Sequence, residues 1–154
     1  MMVKKASAVA AVHRELALRN APFTGLITFS KQGRDDPNDP AFRDIIVPGY
    51  IELTRGTDGG LYNHAQESQY DFVNFVSPLS TLWALGTLAE KDSLLFEVFD
   101  EALGSRVGQL IKTSPLVMQY FLDGAEYFAE FNFAVWDNAE NGAAVQYTRT
   151  PFEA

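Results

Sequence analysis

The stretch from Leu116 to Phe152 reads LVMQYFLDGAEYFAEFNFAVWDNAENGAAVQYTRTPF and predicts three successive antiparallel strands. Asp123 and Gly124 form a two-residue turn of the kind that a type I′ hairpin requires, since both central residues of that turn need positive φ angles. We expect Pro151 to end the pairing, because proline has no amide proton to donate to a neighbouring strand. The predicted adjacent strands cover residues 116–122, 125–136 and 143–150.

Counting outward from the turn predicts which residues face each other across the hairpin. The pairs on the apolar face are Leu122 with Ala125, Tyr120 with Tyr127, Met118 with Ala129, and Leu116 with Phe131. The opposite face carries mainly polar side chains, which are Gln119, Glu126, Glu130 and Asn132, and it also carries the aromatic residues Phe121, Phe128 and Trp136. One face is therefore predicted to meet a core and the other mainly water, because successive side chains in a strand alternate between faces.

Composition narrows the range of functions. The chain has 154 residues, which is consistent with one domain that can bury a single core. Cysteine is absent, which excludes disulfides, thiolate catalysis and cysteine-ligated zinc. The net charge of −8 disfavours binding to nucleic acid or to anionic membranes, because both attract basic surfaces. No apolar run approaches the roughly 20 residues that a transmembrane helix needs.

The N-terminal region is predicted to be a helical arm. Residues 4–19, KKASAVAAVHRELALR, have high helix propensity and place Val9, Val12 and Leu16 on one narrow stripe. The short apolar stretch runs into His13 and the charged residues that follow without a convincing cleavage site, so we favour a retained arm over a signal peptide.

The domain prediction combines this arm with the strands. We expect residues 1–21 to form the arm and residues 22–154 to form one all-β domain, an antiparallel β-sandwich of the jelly-roll-like kind. Its further strands are predicted at residues 24–30 and at residues 44–55, where Pro48 and Gly49 form an internal bulge or edge feature. Residues 92–103 are predicted to be a strand that leads into a short helix or turn ending at Gly104.

Two clusters of polar residues suggest chemistry, and in both cases a structural role is the better interpretation. Asp35, Asp36, Asn38 and Asp39 could place oxygen ligands around calcium, but they lack the ordered ligand pattern and the distal glutamate of an EF-hand loop, so we favour a solvated acidic loop. His64, Glu67 and Ser68 lie too close in sequence for the geometry of a catalytic triad, and no G-x-S-x-G motif accompanies them.

The remaining carboxylate pair also favours a non-catalytic interpretation. Glu126 and Glu130 share one face of a predicted strand about 13 Å apart, which is too far for the paired carboxylates of a glycosidase. His13 and His64 are the only two histidines, so a histidine-rich metal site is improbable. We therefore predict no enzymatic activity, no cofactor and no metal.

Four segments follow one another between Leu53 and Phe152. They are LTRGTDGGLYN with the following AQES, SPLSTLWALGTLA, LLFEVF, and the late hairpin ending FNFAVW and GAAVQYTRTP. In this order they resemble a family of uncharacterised β-rich modules that recur in secreted or surface proteins of bacteria. The family pattern has Thr-Ser-Trp where this chain has Ala134-Val135-Trp136, and a glycine-rich turn where it has Asn141-Gly142-Ala143. The resemblance implies an extracellular or particle-surface location and no catalytic residues.

These observations lead to three hypotheses about function. The first is a structural or assembly protein, such as a phage virion component or a subunit of a bacterial surface assembly, whose partners are copies of itself or other structural subunits. In this case the stripe of Val9, Val12 and Leu16 is predicted to pack across a subunit boundary. The second is a carbohydrate-binding or adhesive surface module that stacks sugars on aromatic rings. The candidate rings are those of Tyr62, Tyr70, Trp83 and Trp136, for which packing in the core is the alternative. An enzyme of unknown class is a third alternative.

Overall fold

The computed structural model describes residues 25–154, so the predicted N-terminal arm and its stripe of Val9, Val12 and Leu16 lie outside the described residues. The strands in the described range are β1 (Ile27–Lys31), β2 (Asp44–Val47), β3 (Ile51–Arg55), β4 (Leu61–Asn63), β5 (Leu82–Leu85), β6 (Leu116–Leu122), β7 (Ala125–Trp136) and β8 (Val145–Arg149). Two one-turn α-helices, α1 (Phe99–Ala102) and α2 (Val107–Leu110), connect β5 to β6. The 3₁₀ helices cover Pro40–Phe42, Leu88–Ser93 and Ala139–Asn141.

These strands form two antiparallel sheets, so the prediction of an all-β domain is confirmed. The larger sheet has the order β1-β8-β7-β6-β5, and the smaller sheet has the order β2-β3-β4. Both contribute to one hydrophobic core, in which Ile51 and Leu53 of the smaller sheet are buried together with Met118 and Phe131 of the larger one. Aromatic side chains pack against each other in this core, and Trp83 and Phe131 meet edge to face with ring centroids 5.0 Å apart.

The predicted hairpin register is confirmed. Leu122 pairs with Ala125, and the matching continues to Leu116 opposite Phe131. The turn residues Asp123 and Gly124 have φ angles of 50° and 82°, as a type I′ turn requires.

Other predicted strands differ from those observed. Residues 44–55 are not one bulged strand but the hairpin β2–β3, because the amide of Tyr50 donates to the carbonyl of Val47 at 2.9 Å and closes a turn. The last strand begins at Val145 because Ala143 adopts a left-handed φ of 58°. Pro151 interrupts the pairing rather than ending it, since Glu153 bonds to β7 again.

Residues 92–103 are not a strand that leads into a helix. The 3₁₀ helix Leu88–Ser93 comes first, and only Glu97 forms an isolated bridge, to Trp83 of β5. The short helix α1 then follows, and Gly104 with a φ of 60° terminates it as predicted. The first strand lies at Ile27–Lys31 rather than at residues 24–30.

The predicted water-facing side of the hairpin is partly covered by residues 88–97. The ring of Phe96 packs 5.7 Å from that of Phe128, and the Lys91 ammonium lies 4.5 Å from the Phe128 centroid. Glu130 accepts a hydrogen bond from the amide of Leu88 at 2.8 Å, whereas Glu126 is exposed. The prediction of a solvated face therefore applies to Glu126 and only partly to Glu130.

A buried ion pair joins the two sheets. Asp44 of β2 accepts hydrogen bonds from Arg149 of β8 through Nε at 2.7 Å and Nη2 at 3.0 Å. The hydroxyl of Tyr147 donates to the same carboxylate at 2.6 Å. Burial raises the pKa of Tyr147 well above its ordinary value, and the Asp44 carboxylate raises it further. Tyr147 therefore remains protonated and acts as the donor.

Another buried charge has no such partner. Lys31 at the end of β1 is 1% exposed, and no hydrogen bond to its Nζ is formed within residues 25–154. Burial lowers the pKa of its ammonium group, with a smaller opposing effect of Asp35. The position follows from the strand pattern, because Lys31 shares the inward face of β1 with Ile27 and Phe29.

Candidate functional site

The candidate site is a cleft of about 640 Å³. That volume lies in the range of sites for small ligands and for single side-chain anchors of a partner. Its walls come from the turn after β3, the loop after β4, the helices α1 and α2, and the segment after β7. Its lining includes Arg55, Asp58, Gly59, Gly60, Tyr70, Phe72, Phe75, Asp100, Val107, Trp136 and Asp137.

The loop of residues 70–76, here called the aromatic loop, borders this cleft. Asp71 shapes it, because its Oδ1 accepts hydrogen bonds from the amides of Val73 and Asn74 at 2.9 Å each. These bonds, that of Asn74 first, lower the pKa of the Asp71 carboxyl. Phe75 completes the turn in a left-handed conformation with a φ of 56°. The sequence YDFVNFV therefore forms a turn.

The aromatic loop has one buried ring and an exposed apolar rim. Tyr70 is 9% exposed and packs edge to face on Phe72, with ring centroids 5.0 Å apart. A Cβ atom on Gly60 would lie 2.9 Å from the Tyr70 ring, so the ring needs glycine beneath it. Phe72, Val73 and Phe75 are 48%, 81% and 45% exposed. Three neighbouring apolar side chains thus face solvent beside the cleft.

Arg55 and Trp136 form the polar part of the cleft wall. The Arg55 guanidinium lies 3.7 Å from the centroid of the Trp136 ring, a cation–π contact. Its Nε donates to the carbonyl of Gly59 at 2.7 Å, and its Nη1 donates to that of Ala144 at 2.9 Å. Burial lowers the pKa of Arg55 to about 10, while Asp137 and Asp58 oppose that effect, so the side chain stays charged at neutral pH.

Three carboxylates line the cleft against this one cation. Asp58 is exposed, while Asp100 and Asp137 are partly exposed. Asp100 accepts a hydrogen bond from the Ser105 hydroxyl at 3.0 Å. The lining therefore has an excess of negative charge, and it favours cationic ligands over anionic ones.

The structure separates the four predicted sugar-stacking residues. Tyr70 and Trp136 line the same cleft, although Arg55 covers one face of Trp136. Tyr62 is 3% exposed and borders an adjacent cavity of about 270 Å³. Trp83 is fully buried in the core, where its Nε1 donates to the Thr81 hydroxyl at 2.8 Å, so its ring is not accessible to a ligand.

His64, Glu67 and Ser68 do not form a connected site. His64 Nε2 lies 3.0 Å from Asn38 Oδ1. The Glu67 carboxylate accepts hydrogen bonds from the amides of Asn63 and Leu79 and from the hydroxyl of Ser77, and these bonds hold two loops together. Ser68 is exposed, and no hydrogen bond connects it to His64 or Glu67 among the described contacts.

The acidic loop uses its carboxylates on its own backbone. Asp35 accepts a hydrogen bond from the amide of Gln32, Asp36 from that of Asn38, and Asp39 from that of Ala41. Across residues 25–154, no group of three or more histidine, aspartate or glutamate side chains is arranged to hold a metal ion.

Sequence reasoning did not identify several residues of the cleft. No sequence pattern identifies Arg55, Asp100, Phe72 or Phe75 as a candidate site residue, because the cleft joins segments that are distant in sequence. The one signal for these residues in the sequence is the density of apolar residues in YDFVNFV, which is the aromatic loop.

In comparisons with protein-family models, curated proteins and solved structures, none matched this chain. No helix within the described range is long and apolar enough to cross a membrane.

Proposed function

We propose that this chain is a structural or assembly protein that acts through its surface, without enzymatic activity. The observation that carries the proposal is the exposed rim of Phe72, Val73 and Phe75. Solvent-exposed apolar side chains that cluster beside a cleft are typical of protein interaction sites, because association removes them from water. The partners are other copies of the chain or other structural subunits, as in a virion or a bacterial surface assembly.

The proposal extends to the type of sandwich and to the location of the protein. We propose a jelly-roll-like sandwich, which is supported by eight strands in two antiparallel sheets within residues 25–154. β6, β7 and β8 pair consecutively as a meander. A jelly-roll-like sandwich formed by this chain would have to contain this meander. Membership of the family of bacterial surface modules and a place on a particle or cell surface rest on the sequence resemblance.

Sizing of the purified full-length chain by light scattering tests the assembly function. We expect an oligomer that the substitution Val73→Asp shifts toward the monomer, because a charge on the rim would be buried at the interface. Leu95→Asp is the matched control, since Leu95 is 78% exposed but lies outside the cleft. A monomeric wild-type protein at every concentration, or equal effects of the two substitutions, would contradict the proposal.

A carbohydrate-binding module is the second candidate. The observation that favours it is the presence of Tyr70 and Trp136 with Asp137 in one cleft, since sugar sites combine aromatic rings with polar groups. Trp83 is buried, so the fluorescence of Trp136 should be the one that responds to a ligand. Titration with oligosaccharides should change this fluorescence while the oligomeric state stays constant. An absence of any change would reject this candidate.

A further inference from the structure

We infer that the cleft beside the aromatic loop binds the N-terminal segment, residues 1–24, of a second copy of this chain. The inference rests on the proposed assembly function and names the partner of the same site. Three observations carry it: the charge of the two surfaces, the apolar side chains on each, and the length of the segment.

Charge is distributed unevenly along the chain. Residues 1–24 contain four lysine or arginine residues and one glutamate, whereas residues 25–154 contain eight basic and nineteen acidic residues. The cleft follows the same pattern, with Asp58, Asp100 and Asp137 against Arg55. Arg55 is 4% exposed and donates to two carbonyls, so its charge is largely withheld from a ligand. The segment and the cleft are therefore complementary in charge.

The apolar side chains also match. Val9, Val12 and Leu16 are spaced as the anchors of a helix that lays one face into a groove. The cleft offers the side chains of Phe72, Phe75 and Val107 for such contacts. An isolated helix of about 16 residues is marginal in water, so the predicted arm needs an apolar surface to pack on.

Length allows the segment to reach another copy. With residues 4–19 helical as predicted, the 24 residues before Gly25 span up to roughly 50 Å, which exceeds the diameter of a domain of this size. Exchange of such segments between two copies generates a symmetric dimer with two identical contacts.

Photo-cross-linking of the full-length protein tests the inference. A photo-reactive amino acid replaces Leu16, and isotopically labelled and unlabelled protein are mixed before irradiation. We expect mass spectrometry to detect cross-links from one isotopic form to residues 70–75 or 99–108 of the other form. The control places the same group at Leu18, on the opposite side of the predicted helix, where we expect at least a five-fold lower yield. Cross-links only within one isotopic form, or only outside the cleft, would overturn the inference.

Charge substitutions supply an independent measurement. The double variant Asp58→Asn/Asp100→Asn should raise the dissociation constant of the assembly roughly 2- to 30-fold at low salt, as expected for two solvent-accessible ion pairs. The matched control is Asp92→Asn/Glu126→Gln, which removes two exposed charges outside the cleft and should leave the constant unchanged. If the cleft variant forms the same oligomer as the wild type, this inference is refuted but the proposed assembly function is not. A monomeric wild-type protein would refute both.

Discussion

The substitution Asp44→Ala should destabilise the protein strongly, because Asp44 is the acceptor in the buried contact between the sheets. The change removes three hydrogen bonds, from Tyr147 at 2.6 Å and from Arg149 at 2.7 and 3.0 Å. Arg149 is 3% exposed and would keep its charge without a carboxylate partner. Breaking a buried ion pair on one side typically costs about 3–5 kcal/mol, a large part of the roughly 5–15 kcal/mol by which domains are stable.

Urea unfolding followed by circular dichroism measures this cost, and a triple variant separates its cause. In Asp44→Leu/Tyr147→Phe/Arg149→Met, no buried polar group of the contact is left unpaired, so we expect a free energy of unfolding within about 1 kcal/mol of the wild type. A loss below about 1 kcal/mol for Asp44→Ala would refute the reasoning. Equal instability of the single and triple variants would also refute it, because the loss would then reflect packing rather than an uncompensated charge.

Two further predictions concern stability. Lys31→Met should raise the free energy of unfolding by about 1–3 kcal/mol, because it removes a buried ammonium that has no hydrogen-bond partner within residues 25–154. The exposed Lys112→Met should change the free energy of unfolding by less than about 0.5 kcal/mol. The gain in free energy of unfolding from Lys31→Met should shrink as the pH rises toward 10.5, since the folded wild type then releases a proton that the unfolded chain retains. Urea unfolding at several pH values measures this change. Gly33→Ala should lower the free energy of unfolding by about 1–3 kcal/mol, because its Cβ would clash with the Asn141 carbonyl oxygen. Gly108→Ala should have the opposite effect in thermal unfolding, because its Cβ meets open space in α2.

The parts of the fold that the sequence predicts are those set by local rules. The register of β6 and β7 follows from Asp123 and Gly124, because a two-residue turn leaves only one pairing for the strands beside it. The error at residues 44–55 has an equally local cause. Pro48 and Gly49 suit a bulge and a turn alike, and the choice of a turn depends on contacts of Glu52, whose carboxylate accepts the Gly49 amide at 2.7 Å.

The cleft could not be predicted because its contacts connect distant segments. Arg55 bonds to Ala144, 89 residues away in sequence, and neither residue carries a motif. Trp83 and Trp136 each follow an aliphatic residue, yet one lies in the core and the other lines the cleft. Tertiary packing decides between these environments, and a single sequence contains no separate signal for it.

The inward-facing Lys31 also bears on how copies of this protein avoid the wrong contacts. Among the strands of residues 25–154, β1 lies at one edge of the larger sheet. An edge strand offers backbone groups with which a further strand can pair. A charged side chain that points inward on an edge strand discourages such pairing, because a further strand would lengthen the sheet around a charge that lacks a partner. The same ammonium group that weakens the folded monomer would then keep its edge from fibrillar growth. If the chain assembles through its aromatic loop as proposed, such protection is needed, since a high local concentration favours both modes of association.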